Sequence, residues 1–335
     1  MDKIRIGIVG VGSMGYMHLS NLVYRIPHAE ALAVCARTES KVKAMQEEFD
    51  IPFGYTEYDA MLANPEIDAV VIATGAAAHK EQIIKACKAK KHIFTEKPLA
   101  KTLEETQEIE TAVTDNADRK FMIGFMRRFD PSYAQAKQKI ESGEIGRPIL
   151  YKASGLDPAS VLPAHLQGVK DKIYVPWFIE MGSHDADLAR WFLQGEPVES
   201  YALGGAYVCE ELAEYGDYDN GFSLTKFDNQ TSAYIQVGRT HTCSSSSAEI
   251  VGTKGTITIS TVPRKNFVGQ YTPQGYVEEC QDSFLERWGE AFYLEMKDFV
   301  ECIRDDREPK TTVQDGIRGL KFALQLHEAY LKNHE

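Results

Sequence analysis

Ile4-Arg5-Ile6-Gly7-Ile8-Val9, followed at once by Gly10-Val11-Gly12-Ser13-Met14-Gly15, decides the fold of the first part of this chain. The first six residues form a β-rich run, and residues 13–25 carry a helical pattern. A G-x-G-x-x-G hexapeptide says little alone. Set between a strand and a helix, it is the fingerprint of a dinucleotide-binding turn. The first glycine allows the tight bend, the second lets the backbone approach a pyrophosphate, and the third lets the helix pack closely on the strand. The helix N-terminus offers free N–H groups and a positive dipole end to the phosphates, so Gly10, Gly12, Ser13, Met14 and Gly15 are candidate cofactor-binding residues.

Working outward, apolar runs at 30–36, Asp68–Thr74, His92–Thr95 and Phe121–Phe125 alternate with helical stretches at 39–49, 79–90 and 102–117. Strands alternating with helices of that length predict βαβ units and a parallel sheet with right-handed crossovers, a Rossmann-type α/β domain. Past Gly124 the texture changes. Strand patterns at 148–154, 198–209, 221–228, 231–238, 247–252 and 255–260 are separated by turn signals such as Asp219-Asn220-Gly221 and Thr253-Lys254-Gly255. Close strands with short turns predict a mainly antiparallel sheet. Helices are expected at 131–142, 180–194, 284–304 and 313–332. The chain therefore reads as an α/β dinucleotide-binding domain over 1–123 and an α+β substrate-binding domain over 124–335, which suits its 335 residues.

Bulk properties exclude some classes. A net charge of −12 argues against nucleic acid and anionic membranes as partners. Six scattered cysteines with no C-x-x-C pair read as reduced thiols. No apolar run reaches membrane-spanning length, and no signal peptide is expected, since Lys3 and Arg5 sit in the first predicted strand and no apolar h-region follows. The expected setting is cytoplasmic.

At the end of the second strand an NAD site usually places Asp or Glu to grip the ribose hydroxyls. Here the stretch is Cys35-Ala36-Arg37-Thr38. The missing carboxylate and the presence of Arg37 lean the expectation toward the 2′-phosphate of NADP, with NAD as the alternative. Thr74 and His79, near the carboxyl end of a strand, are expected to border the cofactor.

Glu96-Lys97-Pro98 closes another strand, at the edge where open α/β sheets bind ligands. Lys97 can donate to a substrate hydroxyl and stabilise an alkoxide, and Glu96 and Lys97 both lie where cofactor would pass. In Glu180-Met181-Gly182-Ser183-His184-Asp185, a helix would put Glu180 and His184 one turn apart. A carboxylate beside an imidazole orients it and suits it to general-base work. A metal reading of Glu180, His184 and Asp185 competes, but the spacing is not H-E-x-x-H, and no metal is expected. His18 by default is a satisfied helix histidine.

At these residues the chain resembles a known family. Gly10–Gly15, Thr95-Glu96-Lys97-Pro98-Leu99-Ala100 and Gly182-Ser183-His184-Asp185-Ala186-Asp187-Leu188-Ala189-Arg190-Trp191, in order and at matching spacing, are similar to the glucose–fructose oxidoreductase/inositol dehydrogenase/rhizopine-catabolism (MocA) family. Gly124-Phe125-Met126-Arg127-Arg128-Phe129-Asp130 is similar to its inositol 2-dehydrogenase branch. The resemblance implies an open-faced second sheet, a homotetramer, and hydride transfer between a secondary hydroxyl of a cyclic polyol or sugar and a nicotinamide. It implies Lys97 and His184 as catalytic residues, Glu180 in place of the family's aspartate, and Arg127 near substrate. Asp157, in Gly155-Leu156-Asp157-Pro158, and His241 fall at substrate positions where the usual pattern is not kept. A non-catalytic NADP(H) sensor, or sugar-nucleotide or amino-sugar chemistry, are the competing functions. The segment 156–176, with His165, Lys170 and Lys172, reads as a surface loop.

Overall fold

The computed structural model describes residues 3–259, 264–280 and 284–333. The chain divides into two compact units: residues 1–129 with 291–321, and residues 130–290 with 322–335.

In the first unit the chain runs β1 (Ile4–Val9), α1 (Ser13–Tyr24), β2 (Ala29–Cys35), α2 (Glu39–Phe49), β3 (Phe53–Tyr55), α3 (Tyr58–Leu62), β4 (Ala69–Ile72), α4 (Ala76–Lys88), β5 (His92–Glu96), α5 (Leu103–Thr114) and β6 (Phe121–Gly124). The sheet order is β3-β2-β1-β4-β5-β6, all parallel. β4 is buried along its whole length, as expected of a strand covered on both faces. The order reverses between β1 and β4, so their carboxyl ends flank the crevice where such sheets bind ligands. Ile6, Ile8, Val34, Val71, Phe94 and Met122 pack with Leu19 and Leu22 of α1 and with Met296, Phe299 and Val300. Each such side chain contributes roughly 1.5–3 kcal/mol when fully buried.

The amino end of β5 gives this unit a pH dependence. Lys120 N–H donates to His92 Nδ1 at 2.9 Å, so the folded ring must be neutral there. Burial, with help from Arg119, pushes His92 down to about 4. Between its ordinary 6.5 and about 4, the unfolded chain binds a proton that the fold refuses, so stability falls as pH falls through that window. Discounted for partial exposure, the loss is roughly 2 kcal/mol. Urea titrations at the two ends of the window are expected to show this loss, and H92Q should be flatter by that amount. Equal pH dependence in H92Q would refute it.

The second unit carries α6 (Pro131–Glu141), β7 (Pro148–Pro158), α7 (Leu162–Lys170), α8 (Trp177–Glu180), α9 (Gly182–Leu193), β8 (Pro197–Gly205), β9 (Asn220–Phe227), β10 (Ser232–His241), β11 (Ser245–Gly252), β12 (Thr256–Ile259) and the hairpin β13 (Arg264–Thr272)–β14 (Gly275–Cys280). Asp130 caps α6 by accepting from the Ser132 and Tyr133 N–H groups, with Pro131 in the first turn. The sheet order is β12-β11-β7-β10-β9-β8. Its pairs are antiparallel except β7 with β10, which makes the sheet mixed and mainly antiparallel. Alternation sets its faces: Gly221, Ser223, Thr225 and Phe227 of β9 point inward, while Phe222 and Leu224 lie exposed on the open face. The inward face of β7 and β10 carries α9.

Two long helices follow, α10 (Phe284–Arg304) and α11 (Val313–Lys332). Among the described residues, no helix is long and apolar enough to cross a membrane.

Segment 156–176 corrects an expectation. It is not a surface loop: it ends β7, forms α7, and buries His165, whose Nε2 lies 2.7 Å from Asp217 Oδ2. Lys170 does face outward, paired with Glu211.

Candidate active site

The glycine turn has three different local reasons for its three glycines. Gly10 sits at φ +91°, and a Cβ there would lie 2.6 Å from the Ala73 carbonyl oxygen. At Gly15 a Cβ would lie 1.8 Å from the Gly10 carbonyl oxygen, so α1 can approach the turn only without a side chain. A Cβ on Gly12 would meet nothing within 4 Å. Gly12 is also the N-cap of α1, and no side chain caps that end. Open space over a helix end with free N–H groups fits a pyrophosphate. Ser13 and Met14 open the helix beside it. Arg37 is exposed just beyond β2.

The ends of β4 and β5 are tied together by His79. This ring is fully buried, with Nδ1 2.8 Å from the Pro98 carbonyl oxygen and Nε2 2.9 Å from that of Thr74. His79 therefore braces the two strand ends. Thr74 donates its hydroxyl to Gln82 Oε1 at 2.6 Å. Lys97, on a cis Lys97–Pro98 peptide, follows β5 directly, and its N–H donates to Glu96 Oε2 at 3.3 Å. Arg127 is buried in the 3₁₀ turn after β6, and the neighbouring Arg128 pairs with Asp315 at 2.9 Å.

In the second unit the expected single helix over 180–194 is two helices. α8 ends at Glu180, Met181 caps it, and α9 starts at Gly182. The His184 N–H still reaches the Met181 carbonyl at 3.2 Å, so the chain keeps its turn through the break. Glu180 is half-buried and His184 is buried in the first turn of α9. Every residue from Gly182 to Arg190 is buried. A helix that buries His184, Asp185 and Asp187 must find partners for them or lose several kcal/mol. Asp185 takes one from the Tyr151 hydroxyl at 3.0 Å, and Gly155 makes room for it, since a Cβ there would lie 3.2 Å from Asp185 Oδ2. The start of α8 is fixed by Asp217, which accepts from the Trp177 N–H at 2.9 Å and from the Tyr218 N–H. Burial pushes the Asp217 carboxyl up to about 6 despite those bonds.

Reading the residues alone missed Arg239. It is wholly buried, its guanidinium lies 3.3 Å from the centre of the Trp177 ring, and its three nitrogens have no hydrogen-bond partner among the described residues. Burial holds it well below its ordinary range, opposed by the charge of Asp157. The missed signal was alternation: Ala233, Ile235 and Val237 point inward on β10, and the next inward position is Arg239, one residue beyond the expected strand end. Asp157, at the end of β7, accepts from the Ser244 hydroxyl at 3.1 Å. His241 is exposed, with Nδ1 3.1 Å from the Cys243 carbonyl oxygen. Asp157, Trp177, Glu180, His184 and Arg239 thus all belong to the second unit, whereas the glycine turn, Thr74, His79, Glu96, Lys97 and Arg127 belong to the first.

Residues 4–125 match the model of the oxidoreductase family with an NAD-binding Rossmann fold, and residues 133–258 match the GFO/IDH/MocA C-terminal domain. The chain belongs to the Gfo/Idh/MocA oxidoreductase family. It is similar to scyllo-inositol 2-dehydrogenase (NAD(+)) of Bacillus subtilis, with 33% identity over 96% of this chain and 92% of that protein. The crystal structure of scyllo-inositol dehydrogenase from Lactobacillus casei with bound NAD(H) and scyllo-inositol superposes with a TM-score of 0.95, at 33% identity, over 99% of this chain and 98% of that one. Myo-inositol 2-dehydrogenase from Lactobacillus plantarum gives a TM-score of 0.95 at 31% identity, over 99% and 98% of the two chains. This family member is thus an oxidoreductase similar to inositol 2-dehydrogenases.

The lean toward NADP finds no support: the Bacillus subtilis relative is an NAD(+) enzyme and the Lactobacillus casei crystal structure holds NAD(H). Arg37 is exposed at the helix entry, where an arginine is equally at home as a solvated residue.

Proposed function

We propose that this chain oxidises a secondary hydroxyl of a cyclic polyol, an inositol, to the ketone with NAD as hydride acceptor. The carrying observation is whole-length similarity, at a TM-score of 0.95, to a dehydrogenase that holds NAD(H) and scyllo-inositol. When bound, the nicotinamide supplies the hydride acceptor. The bare end of α1 and the open space at Gly12 would hold the pyrophosphate. Lys97 donates to the reacting hydroxyl and stabilises negative charge as it grows on that oxygen. His184 takes the hydroxyl proton and passes it to solvent, while Glu180 orients His184. The carbon loses a hydride, the oxygen loses a proton, and the balance is one ketone, one NADH and one H⁺. Arg127, Asp157 and His241 are assigned to the polyol. Copies of the chain meet through the open face around Phe222 and Leu224.

The cofactor assignment is tested by comparing kcat/KM with NAD and NADP. A preference for NAD of about tenfold or more, or ~1.4 kcal/mol, is expected. An equal preference for NADP would return Arg37 to the argument. A panel of scyllo-, myo- and D-chiro-inositol identifies the ring, because stereoisomers differ only in which hydroxyls meet the substrate residues.

A further inference from the structure

Behind the Lys97 turn, inside the first unit, lie three ionisable side chains that the proposed reaction does not use. His18 comes from α1, Glu96 from the end of β5 and Glu295 from α10. All three are buried, and one ligand-type atom of each lies within 4.8 Å of the others. His18 Nε2 is 2.7 Å from Glu96 Oε1, and Glu96 Oε2 accepts the Lys97 N–H at 3.3 Å. Glu295 is fully buried, and neither carboxylate oxygen has a donor to accept from among the described residues. Apolar groups close the space: the rings of Phe94 and Phe292 lie edge-on to His18, and a Cβ on Gly124 would approach Glu96 Oε2 to 3.3 Å.

Two carboxylates this close in an apolar interior cannot both be ionised without a compensating cation. Among the described residues, the His, Cys, Asp and Glu side chains grouped with Glu295 are Glu96 from β5 and His18 from α1. Burial first, and the Glu96 charge second, push the Glu295 carboxyl well above the usual carboxylate range.

We infer that Glu295 is protonated at neutral pH and donates a hydrogen bond to Glu96, which makes it a positioning residue for the Lys97 turn. Glu96 then receives the His18 ring N–H on one oxygen and the Lys97 N–H on the other, with the Glu295 hydroxyl completing the set. The carboxylate is held in one rotamer, and the backbone from which Lys97 springs is held with it. Ionising Glu295 replaces that bond by repulsion and loosens the turn. The inference rests on the role proposed for Lys97, but the proton itself is read without turnover.

The test compares wild type, E295Q and E295L. Gln keeps a donor toward Glu96 and cannot ionise, whereas Leu keeps the volume and removes the donor. At neutral pH the infrared spectrum of the wild type should show a protonated-carboxyl carbonyl band that E295Q lacks. With NAD and an inositol that the wild type oxidises, E295Q should keep kcat within about twofold and extend activity to higher pH. E295L should lose roughly 10- to 100-fold in kcat with the KM for NAD unchanged, since it misplaces Lys97 and leaves the glycine turn alone. An E295Q variant as impaired as E295L would overturn the inference. So would the absence of the band, or a stoichiometric divalent metal found by elemental analysis and lost in E295Q. If no inositol is oxidised by the wild type, the proposed function fails, and the band still decides whether Glu295 holds a proton.

Discussion

Lys97→Ala and His184→Ala are each expected to lower kcat for inositol oxidation by about 10³-fold while NAD binds within about threefold of the wild-type affinity. That loss is about 4 kcal/mol of transition-state stabilisation. The reason is chemical. A secondary alcohol is too weak an acid to surrender its proton at neutral pH until hydride departure makes the oxygen acidic. A base and a positive donor therefore act mainly in the transition state, and their removal should appear in kcat more than in KM. Lys97 has a fixed origin, since its backbone follows β5 directly and its N–H is held by Glu96. His184 sits at the start of a helix whose first nine residues are all buried, so its ring is placed by packing. Steady-state rates with the inositol panel, together with fluorescence titration by NADH, separate binding from chemistry. Either variant retaining near wild-type turnover would remove that residue from the mechanism.

Gly15→Ala should be the most damaging substitution in the glycine turn. Its Cβ would stand 1.8 Å from a backbone carbonyl oxygen, and a carbonyl in a tight turn cannot swing aside as a flexible side chain can. The turn must open, at a cost of at least about 3 kcal/mol in stability, with dinucleotide affinity falling roughly 100-fold or more. Gly12→Ala is the matched control. Its Cβ meets nothing within 4 Å, so thermal stability should hold while cofactor affinity drops, because that open space is where the pyrophosphate is proposed to lie. Calorimetry and NADH titration on the pair check this. A stable Gly15→Ala protein, or a Gly12→Ala protein that binds NADH normally, would contradict the account.

What could be read from residues alone was what local pattern carries. The β1–glycine–α1 unit was legible because its chemistry lies within twelve consecutive residues. The parallel sheet was legible from the spacing of apolar runs. Long-range facts left no local trace. The parallel pairing of β10 with β7 joins distant segments, and a break at Met181 costs only one cap, so the pattern over 180–194 read as a single helix. Segment 156–176 lacked a clear apolar period, yet its His165 is buried because Asp217, far along the chain, accepts its bond. The hairpin β13–β14 was not anticipated, since its strands are largely exposed and lack inward alternation. Arg239 was missed because the expected strand stopped one residue short of it. The NADP lean rested on a missing carboxylate and one exposed arginine, a type of residue with many uses at a helix entry. The Glu96–Glu295 approach joins positions about two hundred residues apart, which only packing can bring together.

The most direct test of the central claim is the initial rate of NADH formation when the wild-type protein is given NAD and, in turn, scyllo-inositol, myo-inositol and D-chiro-inositol. The account predicts saturable, stoichiometric NADH and inosose production with at least one of them. Tight NADH binding with no turnover of any inositol would contradict it.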